Sequence, residues 1–437
     1  MGKKVLKFGG SSLADANQFR RVAEIIKSEK DRRYIVASAP GKRFSDDEKV
    51  TDMLYACYTL AASKGNIDEV FSKIQERYNG IISELGLDIS LEDEFDKIKM
   101  SILHHAGRDY IASRGEYLNA IVLAKYLGYD FIDAEGIIFF CENGSFDAEL
   151  TNDIMSRVLA NHERAVIPGF YGVMPNGTIK TFSRGGSDIT GSIVARAVKA
   201  EIYENWTDVS GMLMADPRLI DNPKPIELIT YKELRELSYM GATVLHEDAI
   251  FPVREAGIPI NIRNTNAPEA KGTMIVSEFD NDTSTGVITG IAGKKGFSTI
   301  TVEKGQMNKT LFISEISHCM KHRNINIEHM PTGIDTISVI TSTDSLKGKE
   351  GDVLASFDRH ISPDSVTITD GIALIAVVGR KMVKAKGIAA RTFKAVSDAG
   401  VNIKMIDQGS SELNIIIAVN EDDYVKALKA IYDEFDK

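Results

Sequence analysis

The 437-residue chain is 43% hydrophobic and 26% charged, values of a globular protein that exclude a disordered or fibrous chain. Its length exceeds what one hydrophobic core serves and predicts two or three domains. A formal net charge of −10 disfavours a general nucleic-acid binder, which needs a basic surface, yet leaves room for a local nucleotide site.

In chain order, the N-terminus lacks an apolar signal segment and starts directly with a strand, Val5 to Phe8. Phe19, Val22, Ile25 and Ile26 then share one helical face, and Tyr34 to Ala37 reads as a second strand. A helical stretch around Leu118, Ile121 and Val122 follows. Strand-like runs Tyr129 to Ile132 and Ala165 to Ile167 come next, then a helix from Asp188 to Ala200 and a strand from Ile202 to Trp206. Such α/β alternation predicts a mainly parallel sheet covered by helices. A last strand pair lies at Ile258 to Ile262 and Thr273 to Val276, and the polar, aperiodic segment 278–285 places a domain boundary near residue 280.

Beyond that boundary a pattern recurs after about 75 residues, on the logic used for sequence repeats. Thr299 to Val302, a helix around Phe312 to Met320, Asn326-Ile327 and Ile337 to Ile340 match Ala373 to Val378, a helix around Ile388 to Val396, Asn402-Ile403 and Asn414 to Val419. The element order suits two ferredoxin-like units, 281–370 and 371–437, after a first domain of 1–280. The longest apolar run, Ile372 to Val378, falls far short of the roughly 20 residues that span a bilayer, so a cytoplasmic protein without a membrane partner is expected. Cys57, Cys141 and Cys319 are far apart and read as reduced core residues.

Three clusters point to chemistry. Lys7-Phe8-Gly9-Gly10-Ser11-Ser12 joins a strand to a helix: either a phosphate cradle of backbone N–H groups or a tight structural turn. It is neither a Walker loop nor a dinucleotide fingerprint. Phe182-Ser183-Arg184-Gly185-Gly186-Ser187-Asp188 precedes an apolar helix. Asp188 there can be an ordinary cap, whereas Arg184 beside two glycines suits a carboxylate or phosphate held bidentately. Glu116, in Ser113-Arg114-Gly115-Glu116, is the third piece and, taken alone, reads as a solvated helix charge.

Together these clusters resemble the amino acid kinase superfamily, and within it the aspartate kinases. Lys7 to Ser12, Ser38-Ala39 with Thr51, Arg114-Gly115-Glu116, Arg184 to Asp188, and Trp206-Thr207-Asp208-Val209 with Asp216-Pro217-Arg218 match in order. The C-terminal repeats resemble paired ACT domains, most clearly at Gln408-Gly409-Ser410-Ser411-Glu412 and Asn414. The resemblance implies a three-layer αβα sandwich followed by tandem ACT units. It also implies phosphoryl transfer from ATP, with Mg²⁺, to the β-carboxylate of L-aspartate, the first step toward lysine, threonine and methionine. Lys7 and Asp188 would be catalytic; Ser38, Thr51, Glu116, Arg184 and Ser187 would hold aspartate, with Glu116 on its ammonium and Arg184 on its α-carboxylate. Lys7, Gly9, Gly10, Ser11, Thr207, Asp208, Leu213, Arg218 and Thr243 would face the nucleotide. Two of these depart from the family: Thr243 stands where relatives carry a lysine, and Leu213 where they carry a tyrosine, with Lys42 or Arg43 as conceivable substitutes for the lysine.

An amino-acid effector, with lysine favoured over threonine by the nearby acids, is expected at the first ACT unit through Asn308, Phe312, Ile313, Asp335 and Thr336. Association of ACT units would give a homodimer or a dimer of dimers, and the chain's end after a terminal helix suggests a monofunctional enzyme. The competing readings are a superfamily kinase acting on another carboxylate, a carbamate or a nucleotide, and a catalytically silent amino-acid sensor.

Overall fold

Strand Lys4–Phe8 alternates its side chains across a sheet, and this alternation organises the site. Leu6 and Phe8 join a core built with Phe19, Val22, Leu54, Phe71, Tyr78, Phe95, Leu118 and Leu123, all from helices on one side. Val5 and Lys7 therefore point to the opposite side, where helix Gly186–Ala197 lies. The computed structural model describes residues 2–183, 185–242, 245, 247–278, 286–305 and 308–436. It divides into two units, one holding 2–212, 225–232 and the strands up to Val276, the other holding 213–224, 233–242 and 286–436.

The first unit is a three-layer αβα sandwich. From edge to edge its eight-stranded sheet runs Leu228–Thr230, Thr273–Val276, Ile260–Asn264, Ile202–Thr207, Lys4–Phe8, Arg32–Ala37, Ala165–Pro168 and Asp130–Phe131. All neighbours are parallel except Ile260–Asn264 with Thr273–Val276. The strands at the centre of the sheet are buried over most of their length, which fits their largely apolar and β-branched composition. Four helices, Val50–Ala62, Asp68–Leu85, Glu92–Leu103 and Arg108–Leu127, intervene between the second strand and Asp130–Phe131. Of the cysteines, Cys57 and Cys319 are buried, Cys141 is half-buried, and all three are free thiols.

In the second unit a single antiparallel sheet has the order Thr336–Ser342, Gly290–Glu303, Ser365–Val378, Asn414–Asn420, Met405–Asp407. Two strands of 14 residues serve both repeats. Residues 297–303 pair with Thr336–Ser342 and with the first half of Ser365–Val378 to form the first repeat, under helices Lys309–Lys321 and Glu350–Ile361. The second half of Ser365–Val378 opens the next repeat, with helices Ile388–Asp398 and Tyr424–Asp436. Its fourth strand is supplied by Gly290 to Lys294, from ahead of the first repeat. Each repeat has its own core, one around Ile300, Phe312, Ile316 and Phe357, the other around Ile375, Val377, Ile417 and Ile431.

Candidate active site

The carboxyl ends of parallel strands are where open α/β sheets place their ligands, and the sequence clusters meet there. After Phe8 the chain turns tightly: Gly9 N–H donates to the Trp206 carbonyl at 3.0 Å and Ser38 N–H to the Phe8 carbonyl at 3.2 Å. Gly41 N–H donates to the Gly10 carbonyl at 2.8 Å, so the first and second loops touch backbone to backbone. A Cβ on Gly41 would stand 2.6 Å from the Gly10 carbonyl carbon, and one on Gly10 would stand 2.9 Å from the Ala39 oxygen. Only glycines allow that approach. Gly10–Leu13 forms one 3-10 turn, and the helix that follows begins at Ala16. Asp15 caps that helix by accepting the Gln18 N–H at 2.9 Å, which takes up one of the donors its N-terminus could offer a phosphate.

Lys7 is 8% exposed, and its Nζ lies 2.6 Å from Oδ1 of Asp188, in the first turn of Gly186–Ala197. Asn205 Nδ2 donates to the same oxygen at 2.8 Å. The Tyr203 hydroxyl donates to the Asp188 carbonyl at 3.1 Å, and Gly191 makes room for that ring. Sequence reasoning named Lys7 and Asp188 but missed Asn205 and Tyr203. Their alternation with Glu204 and Trp206 along one strand was the available signal.

Glu116 is no solvated charge. It sits mid-way along Arg108–Leu127, a helix buried nearly all round, and is 6% exposed. Its Oε2 has no hydrogen-bond partner. Burial pushes the carboxyl up to about 8, against the opposing pull of the Ala39 backbone N–H and the Arg114 charge. Gly115 lets this helix press on the second loop, since a Cβ there would meet that of Ala39 at 2.8 Å. Asn119, one helical turn on, donates to the Ser38 carbonyl at 2.6 Å. Arg114 lies over the rings of Tyr110, Tyr117 and Tyr171 at 4.5, 4.6 and 5.1 Å, so its guanidinium is held on those rings while still pulling weakly on Glu116. Thr51 begins the neighbouring helix and is half-buried. Ser187 packs closely against Gly169, where a Cβ would lie 2.6 Å from its Oγ. Arg184 lies outside the described residues.

On the other flank, Ser11 is half-buried within the 3-10 turn. Thr207 ends its strand with its hydroxyl 3.2 Å from the exposed Asp208 carboxylate. Arg43 is engaged by Asp47, through Nε and Nη2 at 2.9 Å, and Lys42 is exposed with its ammonium on the Ser45 carbonyl. Leu213 and Arg218 belong to the stretch 213–224 of the second unit, where Arg218 pairs with Asp216. Thr243 lies outside the described residues.

The amino acid kinase family matches residues 2–264, and the ACT domain matches residues 375–435. Aspartokinase 3 of Bacillus subtilis is 38% identical over 99% of this chain and 98% of its own length. This chain belongs to the aspartate kinases of the amino acid kinase family. The Clostridium acetobutylicum aspartate kinase superposes with a TM-score of 0.91 at 49% identity, covering all of both chains. Escherichia coli aspartokinase III, solved with aspartate and ADP and separately with lysine and aspartate, has TM-scores of 0.76 and 0.75 at 22% and 23% identity over the full lengths, a likeness of fold.

In the ACT units of this aspartate kinase family member, Asn308 caps helix Lys309–Lys321 by accepting the Leu311 N–H at 3.3 Å. Phe312 is 6% exposed and packs in the core of the first repeat, while Ile313 and Asp335 are exposed and Thr336 starts its strand. A cleft of about 450 Å³ on the same unit is lined by Thr336, one of the expected effector residues, and by Gly333. It is also lined by Thr299, Ser338, Lys404 and Ile406, which sequence reasoning did not single out.

Proposed function

We propose that this chain transfers the γ-phosphoryl group of ATP to the β-carboxylate of L-aspartate. The observation that carries the reading is Glu116, a buried carboxyl with an unpartnered oxygen beside the Ser38–Ala39 loop. A substrate ammonium would supply the missing positive partner, and a zwitterion would place its α-carboxylate on Arg184. The β-carboxylate, with an ordinary pKa near 3.9, is ionised at neutral pH and attacks phosphorus without a general base. Lys7 offers its ammonium to the charge on the transferred group, while Asp188 holds that ammonium at the strand end.

ATP binds on the side of Gly9, Gly10, Thr207 and Asp208. Mg²⁺ takes most of its ligands from phosphates and water, and the exposed Asp208 carboxylate is the donor this flank can add. When bound, the ion neutralises phosphate charge. The ACT units bind an amino acid, with lysine favoured, and join copies into a dimer or a dimer of dimers in the cytoplasm. No helix among the described residues is long and apolar enough to cross a membrane.

The test is an ATP-dependent hydroxamate assay across aspartate, glutamate, N-acetylglutamate and carbamate. Aspartate should be preferred by more than a hundredfold in kcat/KM. A preference for any other acceptor would overturn the reading.

A further inference from the structure

Asn205 faces Lys7 directly, because the parallel register of their strands pairs Lys7 with Asn205. Both side chains are buried, at 8% and 4% exposure, and both point toward helix Gly186–Ala197. The Asp188 Oδ1 atom consequently receives two donors, the Lys7 ammonium at 2.6 Å and the Asn205 amide at 2.8 Å. Asn205 Nδ2 also lies 3.3 Å from the Tyr203 hydroxyl, which itself holds the Asp188 carbonyl. On its other flank Asn205 pairs in register with Ile262, an apolar residue. Among the described residues, the ionisable groups around it are thus Lys7 from one strand, Asp188 from the helix and Tyr203 on its own strand.

From this arrangement we infer that Asn205 is a positioning residue for phosphoryl transfer, setting how firmly Asp188 holds the Lys7 ammonium. The inference rests on the proposed kinase reaction. A carboxylate oxygen that accepts a second N–H has less charge left for the first. Lys7 can then be kept in place in the resting enzyme and still be shared with the phosphoryl group as negative charge collects there. Without the amide, Asp188 would bind Lys7 alone and compete with the transferring group for it. Asn205 touches neither reacting atom and works only through Asp188.

Two substitutions separate this role from simple packing. Asn205→Ala removes the donor and should lower kcat about tenfold, the usual scale for losing a hydrogen bond to a charged group, with the KM for aspartate and for ATP within twofold of wild type. Asn205→Asp keeps the shape but replaces the donor by a second carboxylate beside Asp188. At pH 8.5 it should lose more kcat than Asn205→Ala. Toward pH 6 it should regain activity relative to wild type, because a proton shared by the two carboxyls restores a donor. A packing role predicts the opposite order, with the isosteric aspartate near wild type at every pH, and that result would overturn the inference. If Asn205→Asp does not fold by circular dichroism, Asn205→Ala decides: an unchanged kcat, or a KM rising with it, refutes the role. Wild-type turnover of aspartate in the same run keeps the claims apart. Its absence contradicts the proposed function, whereas its presence with indifferent variants contradicts only the role of Asn205.

Discussion

Substituting Glu116 by glutamine should make the substrate-free protein more stable at pH 8 while weakening its use of aspartate. Burial raises this carboxyl from the ordinary 4.5 to about 8, so the folded chain keeps a proton that the unfolded chain releases. Stability therefore falls as pH climbs from 4.5 to about 8 and stays low above that. At 1.36 kcal/mol per tenfold, the full shift sets a ceiling of roughly 4 kcal/mol at pH 8, and relaxation with water entry reduces this to about 1–3 kcal/mol. Glutamine, neutral at every pH, escapes that loss. At pH 5 the carboxyl is mostly protonated in the folded state, and the advantage of glutamine should shrink below about 1 kcal/mol. Thermal melts at the two pH values read the difference, and the aspartate KM, expected to rise at least tenfold, reads the cost to binding. A variant less stable than wild type at pH 8, or equally stabilised at both pH values, would refute the reasoning.

Lys7→Ala should lower kcat by about a hundredfold or more, the scale of roughly 3 kcal/mol for a charge contact at the transferred group; steady-state kinetics retaining half the wild-type kcat would remove Lys7 from the mechanism. Gly41→Ala drives a Cβ to 2.6 Å from the Gly10 backbone, where neither loop can yield cheaply. It should cost about 1–3 kcal/mol in a denaturant melt and at least tenfold in kcat/KM, and wild-type behaviour in both would show that the loop contact is dispensable. Asp335→Ala should weaken inhibition by lysine at least fivefold with little change in uninhibited kcat. Calorimetry finding no lysine binding to wild type would leave threonine, both amino acids together, or a dimerisation module.

Much of the kinase core was legible because short strand-length runs rich in apolar and β-branched residues alternate with helical patterns. Val5 to Phe8, Tyr34 to Ala37, Ala165 to Ile167 and Ile202 to Trp206 all became central strands. Burial of Glu116 was not legible, because it depends on Gly115 admitting the Ala39 loop and on the helix being covered on every side. Nor could the sequence reveal that Arg114 spends its charge on three tyrosines, one of them 57 positions away. Asn205 escaped notice because its meaning comes from strand register with Lys7 and from a helix turn, both long-range.

The C-terminal repeat was visible as self-similarity, but its closure was not. Gly290 to Lys294 completes the second repeat across an intervening domain's length of chain, a pairing that no local pattern encodes. Phe312 shows the reverse case: Phe312, Ile316, Cys319 and Met320 follow helical spacing and form one buried face. That periodicity pointed to the core, whereas the loop-before-helix pattern had suggested a ligand contact.

The most direct test is the titration of Glu116 itself, followed by difference infrared spectroscopy on protein carrying ¹³C-labelled glutamate, with Glu116→Gln as the blank. In the free protein the Glu116 carboxyl should titrate near 8, and saturating aspartate should hold it ionised well below neutral pH because the substrate ammonium supplies the missing charge. A carboxyl titrating near 4.5 with and without aspartate would contradict the account.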